Sequence, residues 1–167
     1  RKNYLKKLEI ISNGNAMVTD KTPQNFRFVG LLARSFPDAK IIHVTRNASA
    51  VCWGNYKQFF TSPSLSYSFS LNDIVAYYAL YQNLMNFWEI QFPNRIYTID
   101  YESLTVNKED EIKNLILYLG LDWEKECLSP QDNKRSVATA SNGQIRQKIY
   151  QGSSKKWQSF QPFLSDV

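Results

Sequence analysis

One junction constrains this chain more than any other stretch: Lys40-Ile-Ile-His-Val-Thr-Arg46-Asn47, followed at once by a helix-like run from Ala48 to Phe60. Ile41–Val44 is a near-continuous apolar run, the pattern of a parallel strand buried on both faces. Where such a strand feeds a helix, the junction lies at the carboxyl end of the sheet, and ligands of open α/β sheets bind there. The first turn of a helix offers free N–H groups and the positive end of its dipole, which suits an anion. Arg46 adds a fixed fork of donors that matches phosphate geometry. The junction therefore reads as half of a phosphate-binding site. From the local pattern alone, an arginine that caps a strand end or pairs with a surface carboxylate is an equal alternative.

Around that junction the chain alternates apolar strands with helical spacings and shows no internal repeat. Lys2–Ile11 carries Tyr4, Leu5, Leu8 and Ile11 at helical intervals, and Ser12-Asn13-Gly14-Asn15 ends it. Ala16–Thr19 predicts a short strand that leads into Asp20-Lys21-Thr22-Pro23. Asn25–Phe36 and Asn47–Phe60 predict helices, and Phe36-Pro37-Asp38-Ala39 a turn. Thr61–Ser70 is expected as a loop, and Asn72–Phe92 as a long helix stopped by Pro93-Asn94. Arg95–Asp100 predicts a third strand, running out into Tyr101-Glu102-Ser103-Leu104. Lys108–Leu119 is helical and closed by Gly120. Beyond Asp122 the chain is polar, with helical turns expected near Lys125 and around Trp157–Phe163. This order predicts an α/β protein with a parallel sheet.

Composition narrows the function classes. A length of 167 residues fits one domain with a real core, taken here as residues 1–167. The net charge of +5 comes from scattered Lys and Arg, which fits a small anionic ligand at least as well as a nucleic acid, and no nucleic-acid partner is expected. Cys52 and Cys127 form neither a metal-ligand spacing nor a disulfide framework, so a reducing, cytoplasmic setting without a metal is expected. No apolar stretch approaches the length of a membrane span. The chain opens on Arg1 in what reads as the end of a helix, so it is expected to begin in mid-protein.

Four motifs in order carry a family resemblance. Thr19-Asp20-Lys21-Thr22-Pro23-Gln24-Asn25-Phe26, then Phe36–His43 with Arg46-Asn47, resemble the central part of a sulfotransferase. Tyr101-Glu102-Ser103-Leu104 is similar to the family's Tyr-Glu-x-Leu element. Val137–Ser141 with Gln144, Arg146, Ile149-Tyr150, Ser153 and Trp157 resembles its C-terminal loop. The nearest branch is the bacterial, tetratricopeptide-linked group, similar in turn to the tyrosylprotein sulfotransferases. The resemblance runs from about residue 16 to the end.

What the resemblance implies is a P-loop-like three-layer fold with a central parallel sheet flanked by helices, of which this chain is the C-terminal portion. It implies transfer of a sulfonyl group from 3′-phosphoadenosine 5′-phosphosulfate (PAPS) to a hydroxyl acceptor, leaving 3′-phosphoadenosine 5′-phosphate (PAP), without a metal. Acceptors across the family are small molecules, carbohydrates or peptides. Arg46 falls where the family holds the 3′-phosphate. Gly54 stands where the family has a serine as second phosphate donor, a departure for which the backbone N–H, Asn55 or Lys57 could substitute. Lys21 matches the lysine that neutralises charge on the leaving group, and pairing with Asp20 is its bland alternative. Tyr101 matches the tyrosine beside the adenine and 3′-phosphate, with a core-edge tyrosine as the equal alternative, and Glu102 is expected to brace its loop. Arg146, Lys148, Ser153 and Ser154 are the candidate donors of the closing loop, Trp157 its anchor, and Lys155 and Lys156 read as solvated charges. His43, the single histidine, is expected to be structural. The family's 5′-phosphosulfate turn and general base are expected upstream of residue 1, since Ser12-Asn13-Gly14-Asn15 lacks a basic residue and a following helix. Expressed without such a neighbour, the sheet would expose an apolar edge and the piece would be poorly soluble and inactive. A non-catalytic nucleotide- or phosphate-binding module and a P-loop nucleotide kinase are the competing functions, the latter disfavoured by the C-terminal motifs.

Overall fold

The computed structural model describes residues 1–133 and 146–164. Two strands, β1 (Ile41–Thr45) and β2 (Ile96–Asp100), pair in parallel, with Ile41 opposite Ile96 and Thr45 opposite Asp100. Six α-helices accompany them among the described residues: α1 (Lys2–Ser12), α2 (Val29–Ser35), α3 (Ala48–Tyr56), α4 (Leu71–Gln91), α5 (Tyr101–Val106) and α6 (Lys108–Leu119). Because β1 and β2 are adjacent and parallel, the chain between them must cross back, and α3 and α4 form that crossover. The α/β class with a parallel sheet flanked by helices is the one expected.

Local chemistry sets the element ends. Asn13 and Gly14 take left-handed backbone angles, φ 48° and 82°, and stop α1, while Gly120 at φ 71° stops α6. Ser70 caps α4 by accepting the Asp73 N–H on its hydroxyl. Asp100 caps α5 by accepting the Ser103 N–H at 2.8 Å. Glu109, Asp110 and Glu111 crowd the first turn of α6, where the dipole favours negative charge.

Several expectations are corrected. Residues 16–19 form no strand: among the described residues β1 and β2 pair only with each other, and Met17 and Val18 stand 52% and 39% exposed. A short apolar run becomes a strand only where a neighbour offers ladder partners. The expected helix over 25–36 is split into a 3₁₀ helix, Pro23–Phe28, which opens on its proline, and α2. Residues 61–70 hold a second 3₁₀ helix, Pro63–Phe69, opened in the same way. The strand ends at Asp100 as expected, and Tyr101 begins α5, a helix not expected there, where Asp100 caps its start. β1 is also not buried on both faces. α4 covers the His43 side through Tyr81, and on the other face Tyr118 of α6 stacks on Tyr97, with ring centroids 4.7 Å apart. Neither covers Val44, which remains 58% exposed, and Ile42 is 40% exposed.

The small core joins Val29 and Ala33 of α2, Ala50 of α3, Ile74 and Met85 of α4, and Ile99 of β2. At its tightest point Gly30 faces Trp88, and a Cβ there would lie 2.7 Å from the indole ring. The ring has little freedom to yield, because its Nε1–H donates to the Phe26 carbonyl at 2.8 Å. Gly30→Ala gains about 1 kcal/mol of helix propensity, but the overpacking costs about 1–3 kcal/mol. A net fall in Tm by differential scanning calorimetry is expected; an unchanged or raised Tm would show that α2 and α4 can separate freely.

Candidate functional site

The site grows from the end of β1. Asn47 caps α3 by accepting the Ala50 N–H on its side-chain oxygen at 3.0 Å. Its own N–H donates to Glu102 Oε2 at 3.2 Å, while Tyr78 of α4 donates to the Arg46 carbonyl at 3.5 Å. The peptide that carries Arg46 is thus held by α5 on one side and α4 on the other, and Glu102 braces the loop as expected.

Beyond its backbone, Arg46 meets the C-terminal segment. Nε donates to Ser154 Oγ at 2.9 Å and Nη2 to Ser153 Oγ at 3.3 Å. Ser153 Oγ also shares a hydrogen bond of 2.9 Å with the Tyr101 hydroxyl, and the guanidinium lies 4.8 Å from the centre of the Tyr101 ring. Every one of these partners is neutral. Among the described residues Arg46 makes no ion pair, so its charge is positioned and left uncompensated. A surface carboxylate partner, one of the two local alternatives, is not what the structure shows.

The segment that brings these serines runs as a 3₁₀ helix, Ser153–Phe163, entered through Gly152 at φ 85°. It is pinned to α3 by Phe160, whose ring centre lies 4.6 Å from that of Trp53. The sequence pointed to Trp157 as the anchor. Trp157 is half-buried in the cleft wall, and the aromatic contact that ties the segment to α3 is Phe160, a residue that no motif marked.

Between α3, the start of α5 and this segment lies a cleft of about 880 Å³. Arg46, Gly54, Tyr101, Arg146, Lys148 and Ser153, the six residues expected to bind a cofactor, all line it. Lys57 and Lys156 line it too, and no Asp or Glu among the described residues does. Lys156 approaches the Tyr150 hydroxyl at 3.5 Å, itself part of the wall. Among the described residues nothing packs closely on Gly54, since a Cβ built on it meets none of their atoms within 4 Å. The Val137–Gln144 part of the C-terminal motif lies outside the described residues.

Lys21 is exposed and lies outside this cleft. It is not paired with Asp20, whose carboxylate accepts instead from the Tyr4 hydroxyl at 2.5 Å. Its neighbours Asp20 and Thr22 line a second cavity of about 470 Å³ together with His43 and Tyr81. Arg46, Val51 and Asn55 belong to both cavities, so the two meet at Arg46.

His43 Nε2 is hydrogen-bonded to the Tyr81 hydroxyl. Its Nδ1 is 3.9 Å from Glu89, close enough for charge to be felt but too long for a hydrogen bond, and this nitrogen stays buried without a partner. Burial lowers the histidine pKa and outweighs the opposing pull of Glu89. The same burial, with Tyr78 and Glu89 nearby, pushes the Tyr81 phenol up to about 12, so the phenol donates and the neutral imidazole accepts. His43 thus has a packing partner in Tyr81 that ties β1 to α4.

Among the described residues no cluster of His, Cys, Asp or Glu is placed to hold a metal, and no helix is long and apolar enough to cross a membrane. The Sulfotransferase family model matches residues 1–125. The chain belongs to the sulfotransferase family. The match takes in Lys21, Arg46, Gly54 and Tyr101, whereas the C-terminal wall of the cleft lies beyond it. A protein of Aquifex aeolicus (strain VF5), described as an uncharacterized protein, is 35% identical over 166 residues, 98% of this sulfotransferase chain. The chain spans 22% of that relative's length.

Folded His43 binds its proton more weakly than in the unfolded chain, so acidification below about pH 6.5 favours unfolding. The expected outcome is a fall in Tm from pH 7.5 to 5.5 that shrinks in His43→Gln. An identical fall in both proteins would remove His43 from the acid response.

Proposed function

We propose that this chain forms the nucleotide-binding wall of a sulfotransferase that uses PAPS and leaves PAP. It moves the sulfonyl group to a hydroxyl acceptor by in-line transfer. The carrying observation is the cleft itself: Arg46, Lys57, Arg146, Lys148 and Lys156 line it with no carboxylate among the described lining residues. Such a field suits a compact ligand of several negative charges and repels none of them. A volume of about 880 Å³ lies within the usual range for nucleotide-sized ligands. The family gives this field its chemistry, since its members are transferases of sulfonyl groups.

PAPS supplies the activated sulfonyl group. The residues of this chain bind and orient it. Arg46 addresses the 3′-phosphate with donors already aimed by Ser153, Ser154 and the Tyr101 ring, so little rearrangement precedes binding. Tyr101, which lines the cleft and gives a ring face to Arg46, is the residue proposed to meet the adenine, for which stacking contributes about 1–3 kcal/mol per base. Arg146, Lys148 and Ser153 close the cleft from the C-terminal side. Transfer itself needs little covalent work from the protein, so positioning and charge stabilisation carry the rate, as in phosphoryl transfer. Lys21 is the residue proposed to neutralise charge on the departing phosphate, with the smaller cavity beside it opening onto Arg46. The bacterial, tetratricopeptide-linked branch and a single sulfotransferase domain over residues 1–167 complete the proposal.

Calorimetric titration with PAP and with AMP tests the phosphate assignment. Wild type is expected to prefer PAP, and Arg46→Ala to lose about 1.5–3 kcal/mol of PAP binding. Equal affinities for the two nucleotides in the wild type would remove Arg46 from the 3′-phosphate.

Lys21 is tested by steady-state kinetics on the active protein. A contact made only as charge develops lowers kcat far more than it weakens PAPS binding, and that is the expected result for Lys21→Ala. An unchanged kcat with a raised KM would place Lys21 in ground-state binding.

A further inference from the structure

Gly54 leaves a gap in the cleft wall, and the structure narrows what can fill it. Ala50 and Gly54 of α3 line the cleft, and Lys57, which caps the end of that helix three residues after Gly54, lines it too. A Cβ at Gly54 meets no atom of the described residues within 4 Å, so among them the space above it is open. The Gly54 N–H lies inside α3, where the helix ladder occupies it. The Asn55 amide donates to the Val51 carbonyl at 3.0 Å, and the Gln58 amide to the Phe59 carbonyl at 3.3 Å. Lys57 is different: its ammonium has no hydrogen-bond, ion-pair or ring partner among the described residues, and it lines the cleft.

Helix geometry aims that lysine. Side chains on an α-helix lean toward the N-terminus and cover the turn before their own Cα. The turn before Lys57 is the one centred on Gly54, and beyond it, at the head of the helix, is Arg46. A lysine is a flexible point charge, so it reaches an anion at Gly54 without a fixed geometry.

We propose that Lys57 is the second anion contact of this cleft, reaching over the open position at Gly54 to share a phosphate with Arg46. The proposal rests on the nucleotide function given above. A phosphate held by both cations would distinguish a nucleotide with a 3′-phosphate from one without.

The test is isothermal titration of the protein with PAP and with AMP at low ionic strength. Wild type is compared with Lys57→Ala, Lys57→Arg and the double variant Lys57→Ala/Gly54→Ser. The ligand-free Tm checks folding, and Lys57 is exposed, so it should not move. Lys57→Ala is expected to weaken PAP about fivefold, the scale of a solvent-exposed charge contact, and to leave AMP unchanged. That difference should shrink as salt is added. Lys57→Arg should retain PAP binding, and the serine of the double variant should restore part of it by placing a hydroxyl in the open space. Unchanged PAP affinity in Lys57→Ala, beside a loss in Arg46→Ala, would overturn the Lys57 contact alone. Equal weakening of PAP and AMP would also overturn it, by reducing Lys57 to general attraction. Failure of the wild type to bind either nucleotide would overturn the nucleotide function, and this contact with it.

Discussion

The guanidinium of Arg46 is the point on which the site depends. A charged group beside a helix start is normally matched by a carboxylate, yet here two serine hydroxyls and the face of a tyrosine hold it. Neutral partners fix direction without cancelling charge. That combination favours an anion that arrives from solution, because the protein has already aligned the donors and retained the positive field. The same contacts fasten the C-terminal segment to the end of β1, so binding geometry and tertiary structure share their hydrogen bonds.

Much of this was legible in the sequence, and the reasons are specific. The β1–α3 junction combines a β-branched run, an arginine and an Asn cap, all local signals, and it appears where the pattern placed it. β2, α4 and α6 follow for the same reason. Tyr101 and the Arg46 candidate were marked by motif, and the cleft brings them together with Gly54, Arg146, Lys148 and Ser153. Residues 16–19 were not legible, because strand formation is decided by a partner and not by the strand's own residues. Phe160 was equally hidden: its place against Trp53 depends on how the C-terminal segment docks, which no local periodicity records. Lys21 remains defined by motif alone, since its side chain lines neither cavity.

The smaller cavity has a different character. Four tyrosines and His43 line it beside Asp20, Lys40 and Arg46. Burial raises the Tyr81 phenol and lowers the His43 imidazole. The two compartments share the Arg46 wall, and the smaller one carries a carboxylate, Asp20, that the larger lacks among the described residues.

The hydrogen bonds from Arg46 to Ser154 and Ser153 close loops of 108 and 107 residues. Contacts of such long range are entropically costly to form. The cleft is therefore complete only while the C-terminal segment is docked on Arg46. A ligand that touches both Arg46 and that segment acts as a clasp across the docking. Its affinity is then also a measure of how firmly the segment is held.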